Sequence, residues 1–178
     1  MTTRILLVRA VNVGGAKLPM AEFREMLAGL GGEDVRTYIA SGNAVLDVPG
    51  DAAAFDRAVE AALTERYGYV REVISRTPQE LEAALAAHPF EVREPKFSYI
   101  APLTGTPGGE AVETAREVEC GDDRWDVIGN DLHIRYAHGA GRAELDMNKV
   151  LKRLGVQGTA RNLNTVQALI ALAAKGSA

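Results

Sequence analysis

The chain predicts an α+β fold: two ferredoxin-like (βαββαβ, α/β-plait) subdomains with antiparallel sheets, followed by a C-terminal helix. Three observations carry this reading. Apolar periodicity and turn residues over residues 4–75 run strand, helix, strand, strand, helix, strand. The same order starts again from Phe97. Between the two runs, Thr77-Pro78-Gln79-Glu80 spells a capping box with proline at the first helical position, the opening of a linking helix. The expected subdomains are residues 1–88, with the linking helix, and 89–178, with the C-terminal helix.

In the first half, Arg4 to Val11 reads as a buried strand ended by Gly14-Gly15. Pro19 suits the start of a helix whose one face carries Met20, Phe23, Leu27 and Leu30 before Gly31-Gly32 stops it. Val35–Ala40 and Ala44–Val48 flank Ser41-Gly42-Asn43, the turn chemistry of an antiparallel hairpin. Asp51 is placed to cap a second helix with the stripe Phe55, Ala58, Val59, Ala62 and Leu63, and Val70–Ser75 supplies a fourth strand.

The linking helix runs through Leu81, Ala84 and Leu85 and closes at His88-Pro89-Phe90. In the second half, Phe97–Leu103 predicts a strand, Glu110–Glu117 a helix, and Trp125–Ile128 with Leu132–Tyr136 a hairpin around Gly129-Asn130-Asp131. Met147, Val150, Leu151 and Leu154 repeat at helical spacing up to Gly155. The fourth strand of this half is expected as a short piece near Val156 to Ala160. A last helix from about Asn164 carries Val166, Leu169, Ile170 and Ala173 on one face, capped by Asn164 or Thr165.

Composition narrows the function classes. A chain of 178 residues with 47% hydrophobic and 25% charged residues has the make-up of an ordinary globular protein. Its net charge of -4 argues against broad electrostatic capture of nucleic acid or anionic membrane. No apolar run approaches the roughly 18 residues of a membrane span. Cys120 is the lone cysteine and no secretory signal opens the chain, so a cytoplasmic location is expected. His88, His133, His138 and Cys120 lack metal-ligand spacing, and no G-x-S-x-G nucleophile elbow occurs. Neither metal nor cofactor is expected, and no reaction is assigned.

Polar side chains and glycines concentrate in three places. Arg9 sits in an apolar strand reading, where a buried guanidinium needs partners. Asn12, Gly14, Gly15 and Lys17 follow in a loop leading to a helix N-terminus, where free N–H groups attract anions. The GxxxxGK[ST] phosphate loop and GxGxxG are absent. Structure alone also accounts for these residues, with Arg9 bonded to carboxylates or carbonyls and the glycines turning the chain. Ser41 and Asn43, at the hairpin turn, are explained by turn chemistry yet lie where that turn can meet Asn12. Arg161 and Asn162 precede the last helix and are not needed to cap it.

Charge is uneven in the second half. Acids dominate from Glu110 to Asp131, and Arg135, Arg142, Lys149, Lys152, Arg153 and Arg161 dominate beyond it. Solvated helix faces are the ordinary meaning, and a nucleic-acid groove using Gly139-Ala140-Gly141-Arg142 as a backbone-contacting loop is the alternative.

Taken together, these segments resemble the bacterial family called domain of unknown function 1697. The matches are Leu7, Arg9, Asn12, Val13, Gly14 and Gly15; Arg36, Thr37, Tyr38, Ile39, Ser41, Gly42 and Asn43; and Thr159, Arg161, Asn162, Asn164, Thr165 and Val166. Ala10 stands where the family has glycine and Leu163 where it has tryptophan, so a site that needs close backbone approach or stacking there is altered in this chain. The resemblance implies paired ferredoxin-like subdomains and carries no established activity. The functional expectation is a small anionic ligand, bearing phosphate or carboxylate, near Arg9, Asn12, Gly14, Gly15, Lys17, Ser41, Asn43, Arg161 and Asn162. The alternative is a nucleic-acid-binding or protein-interaction module without catalysis.

Overall fold

In the computed structural model, which describes residues 1–176, the chain divides into two units. The first comprises Met1–Glu82 with the helical segment from Gln167, and the second comprises Ala83–Val166.

The first unit builds β1 (Thr2–Val8), α1 (Met20–Gly29), β2 (Glu33–Thr37), β3 (Asn43–Val48), α2 (Ala52–Tyr67) and β4 (Val73–Arg76). Its sheet order is β2-β3-β1-β4 with every pairing antiparallel, the ferredoxin-like arrangement. Strand alternation sends Leu6, Val8, Ala44, Leu46, Val48 and Val73 to one face, where they pack with Phe23 and Leu27 of α1 and Phe55, Val59 and Leu63 of α2. Each of these larger side chains contributes about 1.5–3 kcal/mol by leaving water. The Asp51 carboxylate caps α2 by accepting from Ala54 N at 2.8 Å, as expected. α3 (Pro78–Ala86) starts at the expected capping box, in which Glu80 accepts from Thr77 N at 2.7 Å and Thr77 Oγ1 accepts from Glu80 N at 3.1 Å.

The second unit repeats the plan with β5 (Ser98–Pro102), α4 (Gly109–Ala115), β6 (Arg124–Ile128), β7 (Asp131–Arg135), α5 (Met147–Leu154) and β8 (Arg161–Asn162), in the antiparallel order β6-β7-β5-β8. Its core joins Ala101, Leu103, Trp125, Leu132 and Ile134 of the sheet region to Val150, Leu151 and Leu154 of α5. Asp123 is almost fully buried and accepts from the backbone N–H groups of Ala137, Glu144 and Leu145, which ties the segments on either side of the hairpin together.

Four differences from the expectations have physical causes. β1 ends at Val8, not Val11, because Ala10 and Asn12 adopt positive φ angles of 49° and 56° that no strand continues through. The last strand lies at Arg161–Asn162 instead of residues 156–160. The earlier segment joins the sheet only by an isolated bridge between Leu103 and Gly158. α6 (Leu163–Ala174) is capped by Asn162, whose Oδ1 accepts from Thr165 N at 2.9 Å, and not by Asn164 or Thr165. From Gln167 onward this helix groups with the first unit, where Arg36 donates to Leu172 O at 2.6 Å, although the sequence reading assigned it to the second half. Helical periodicity identifies an apolar stripe without naming what covers it.

Candidate functional site

The segment after β1 folds back on itself because Gly14 and Gly15 join Ala10 and Asn12 at positive φ, at 59° and 95°. A Cβ at either glycine would meet nothing within 4 Å, so conformation, not crowding, calls for glycine there. Asparagine tolerates the left-handed region, and Asn12 uses that geometry to hold the loop. Its Nδ2 donates to Leu18 O at 3.0 Å and Ala40 O at 2.7 Å, while its Oδ1 accepts from Leu18 N at 2.8 Å. The loop and the hairpin turn over residues 38–42 therefore meet. A second link is Val8 N donating to Gly42 O at 2.9 Å. Gly42, at φ 73°, lies so close to Val11 that a Cβ would sit 2.6 Å from its Cγ2.

Arg9 falls beyond the strand, not inside it, and its guanidinium is partly solvated. It pairs with Glu72 at 3.3 Å, with side chains 27% and 30% exposed, so the pair is worth at most about 1 kcal/mol. Lys17 is exposed, and its ammonium makes no ion pair among the described residues. Its carbonyl accepts from the Tyr69 hydroxyl at 3.0 Å. Arg71 donates to Ala10 O at 3.3 Å while its guanidinium lies over the Tyr69 ring. Burial raises the Tyr69 phenol above its ordinary pKa and keeps it a donor. Braced in this way, the exposed loop leaves the N–H groups of Val13, Gly14 and Gly15 without an acceptor among the described residues.

Ser41 is half-buried at the turn, whereas Asn43 is fully buried and its amide donates to Tyr38 O at 3.1 Å. Arg9, Asn12, Gly14, Gly15, Lys17, Ser41 and Asn43 all belong to the first unit. Arg161 and Asn162 belong to β8 of the second. The Arg161 guanidinium donates to Thr159 Oγ1 at 2.6 Å and Ala160 O at 3.0 Å, and burial lowers its pKa to about 10, which leaves it charged at neutral pH.

The second sheet holds groups that sequence reasoning passed over. Pairing registers align Arg124, Arg135 and Ser98 in one row across β6, β7 and β5, and Asp126, His133, Ile100 and Arg161 in the next. The fully buried His133 meets His88 with Nδ1 atoms 3.0 Å apart. Burial, then the neighbouring His88, lowers the His133 pKa to about 4; burial also lowers that of His88, so both rings are neutral near pH 7. The available signal was the period-two alternation of polar residues in β6 and β7, which marks one sheet face but not its partners. Of the basic segment, Lys149, Lys152 and Arg153 line a hollow shared with Glu117, Glu119, Glu144 and Asp146, and Arg153 pairs with Glu117 at 3.2 Å. Such mixed charge is not the single-sign footprint of a nucleic-acid groove. Among the described residues there is no group of at least 3 His, Cys, Asp or Glu placed to hold a metal ion, and no helix is long and apolar enough to cross a membrane.

Fold and loop together define a protein of two α/β-plait units with a braced, glycine-bearing polar loop after its first strand. The chain belongs to the family described as protein of unknown function (DUF1697), whose model matches residues 1–133. The first two polar motifs lie within that match and Thr159–Thr165 lies beyond it. Among solved structures, the conserved bacterial protein SP0830 from Streptococcus pneumoniae is similar at 23% identity and a TM-score of 0.74. The alignment covers 98% of this chain and 99% of that one, and it shows the shared fold. A second structure, of a protein described as a glycine cleavage system transcriptional repressor, aligns at 10% identity over 89% of this chain and 95% of that one. Its TM-score of 0.23 carries no argument. No curated protein matches the chain.

Proposed function

We propose that this protein binds a small anionic molecule, bearing phosphate or carboxylate, on the Arg9–Lys17 loop. The observation that carries the reading is the set of consecutive N–H groups at Val13, Gly14 and Gly15, exposed and without acceptors among the described residues, in a loop that Asn12 holds in place. Successive N–H groups presented around positive-φ residues form an anion-binding concavity. Lys17, Arg9 and Arg71 give the neighbourhood positive charge, with Glu72 paired to Arg9. The open space over Gly14 and Gly15 is where the anion sits. Asn12 and Asn43 act as positioning residues, because their amides are engaged by the backbone of the loop and turn.

Amide signals of residues 13–15, followed by NMR during titration with inorganic phosphate and with acetate, test this. Saturable shifts are expected, with affinity reduced several-fold in Lys17→Ala through loss of the charge-assisted contact. Silence at those amides with both anions, or an affinity in Lys17→Ala and Arg9→Ala unchanged from the parent's, breaks the reading.

A further inference from the structure

The row Ser98, Arg135, Arg124 presents an arrangement that the packing of the second unit does not require. Arg124 and Arg135 are directly opposed on neighbouring strands, and Ser98 is the cross-strand partner of Arg135 on the other side. Like charges at directly opposed positions destabilise a sheet. Neither guanidinium has a carboxylate within ion-pair distance among the described residues. Each instead donates to backbone carbonyls of one loop: Arg124 to Gly121 O at 2.9 Å and Asp123 O at 2.7 Å, and Arg135 to Asp122 O at 3.3 Å. Those bonds hold the side chains without neutralising them.

Two further groups point the same way. Ser98 is 1% exposed and its hydroxyl has no hydrogen-bond partner among the described residues, and Arg135 Nε is buried without one among them. An orphaned buried polar atom costs about 1–3 kcal/mol, more when it belongs to a charged group. A water molecule would answer the hydroxyl but carries no charge to offset the two guanidiniums, of which Arg124 is exposed and Arg135 half-buried. All three residues line a cavity of about 300 Å³, with Phe97 and Tyr136 in its wall. That volume is at the small end of the range for metabolite pockets. Asp122 also lines the cavity, with its carboxylate 3.9 Å from His138 Nε2.

We infer that this cavity in the second unit is a binding site for the oxyanion of a small molecule, phosphate or carboxylate, held between the Arg124 and Arg135 guanidiniums with the Ser98 hydroxyl as a further donor. Arginine forks match such oxyanions with paired hydrogen bonds, and braced arginines lose little freedom on binding. The site is separate from the Arg9–Lys17 loop and stands or falls independently of it.

The probes are inorganic phosphate and acetate, titrated separately into the full chain while the Arg Nε–H and backbone amide NMR signals are followed. At least one anion is expected to move the Arg135 Nε–H signal and the amides of Ser98 and Arg124 saturably, and the stronger of the two names the oxyanion class. The response is expected to persist in Lys17→Ala and to weaken by about tenfold or more in Ser98→Ala and in Arg124→Gln. Both variants are expected to unfold thermally no earlier than the parent in anion-free buffer, since one removes an orphaned hydroxyl and the other a like-charge pair. Absence of any response at these signals with both anions overturns the inference. So does a response in Ser98→Ala and Arg124→Gln as strong as the parent's, or one abolished by Lys17→Ala.

Discussion

In the first unit, the sheet face turned away from α1 and α2 presents Ile5, Leu7, Val45 and Ile74, all buried, with Arg36, Asn43 and Arg76 beside them. In the second, the face turned away from the apolar core presents Arg124, Asp126, His133 and Arg135 beside Ser98 and Ile100. Strand order and pairing sense are the same in both. Topology depends on backbone pairing and on one apolar face per sheet. The other face is free to take whatever chemistry the strand alternation places there, which is why function has to be argued from the site and not from the fold. The centre of that face in one unit is apolar, whereas in the other it buries His133 and Ser98 beside half-buried or exposed charged side chains.

The largest test of this contrast is Leu7→Ala. Leu7 is 2% exposed, and deletion of its side chain is expected to cost about 2–5 kcal/mol in denaturant unfolding. A loss below about 1 kcal/mol would mean that the apolar face of the first unit does not support stability as described.

The pH dependence of the second unit sharpens the contrast. The pKa of His133 falls from an ordinary 6.5 to about 4 in the folded chain, so between those values the unfolded state binds more protons than the folded state. Its stabilising contribution is complete above pH 6.5 and is lost as the pH drops towards 4, a swing of about 3 kcal/mol. His133→Gln is expected to flatten that part of the stability profile, read by amide hydrogen exchange within residues 98–135. Asp56 in the first unit works in the opposite direction. Desolvation raises its pKa despite the hydrogen bonds from Ser75, so its contribution weakens as pH rises through the folded pKa. A wild-type slope unchanged in His133→Gln would remove the imidazole pair as the acid-sensitive element.

The smallest effect concerns the loop. Asn12→Ala deletes the bonds to Leu18 and Ala40 and leaves alanine at positive φ, for an expected loss of about 2 kcal/mol. Asn12→Gly relieves the φ strain but not the lost bonds, so it is expected to fall between alanine and wild type in thermal unfolding. Equal stability of all three chains would show that the link between loop and turn is energetically idle.

Local grammar made much of the fold legible. Asp51 caps α2, Thr77 and Glu80 form the capping box, and Gly155 ends α5 at φ 71°, each through atoms within a few residues of one another. The apolar runs at Ile5–Val8 and Ala44–Leu46 are buried strands. The meeting of Asn12 with the 38–42 turn was also readable, because β1 is flanked by β3 and the two segments leave adjacent strand ends.

The amino-acid sequence by itself determined which segments form most of the helices and strands, which of their faces are apolar, and that the strand–helix plan occurs twice. Those properties follow from short-range sterics, capping and periodicity. Tertiary structure alone decided that Arg9 lies outside β1, that Asn162 and not Asn164 caps α6, and that α6 from Gln167 groups with the first unit. It also decided that Arg124 faces Arg135, with Ser98 beside it, and that His88 reaches His133. These outcomes depend on cross-strand register and on contacts between residues far apart in the chain. A one-residue slip in register would turn every side chain of a strand to the opposite face.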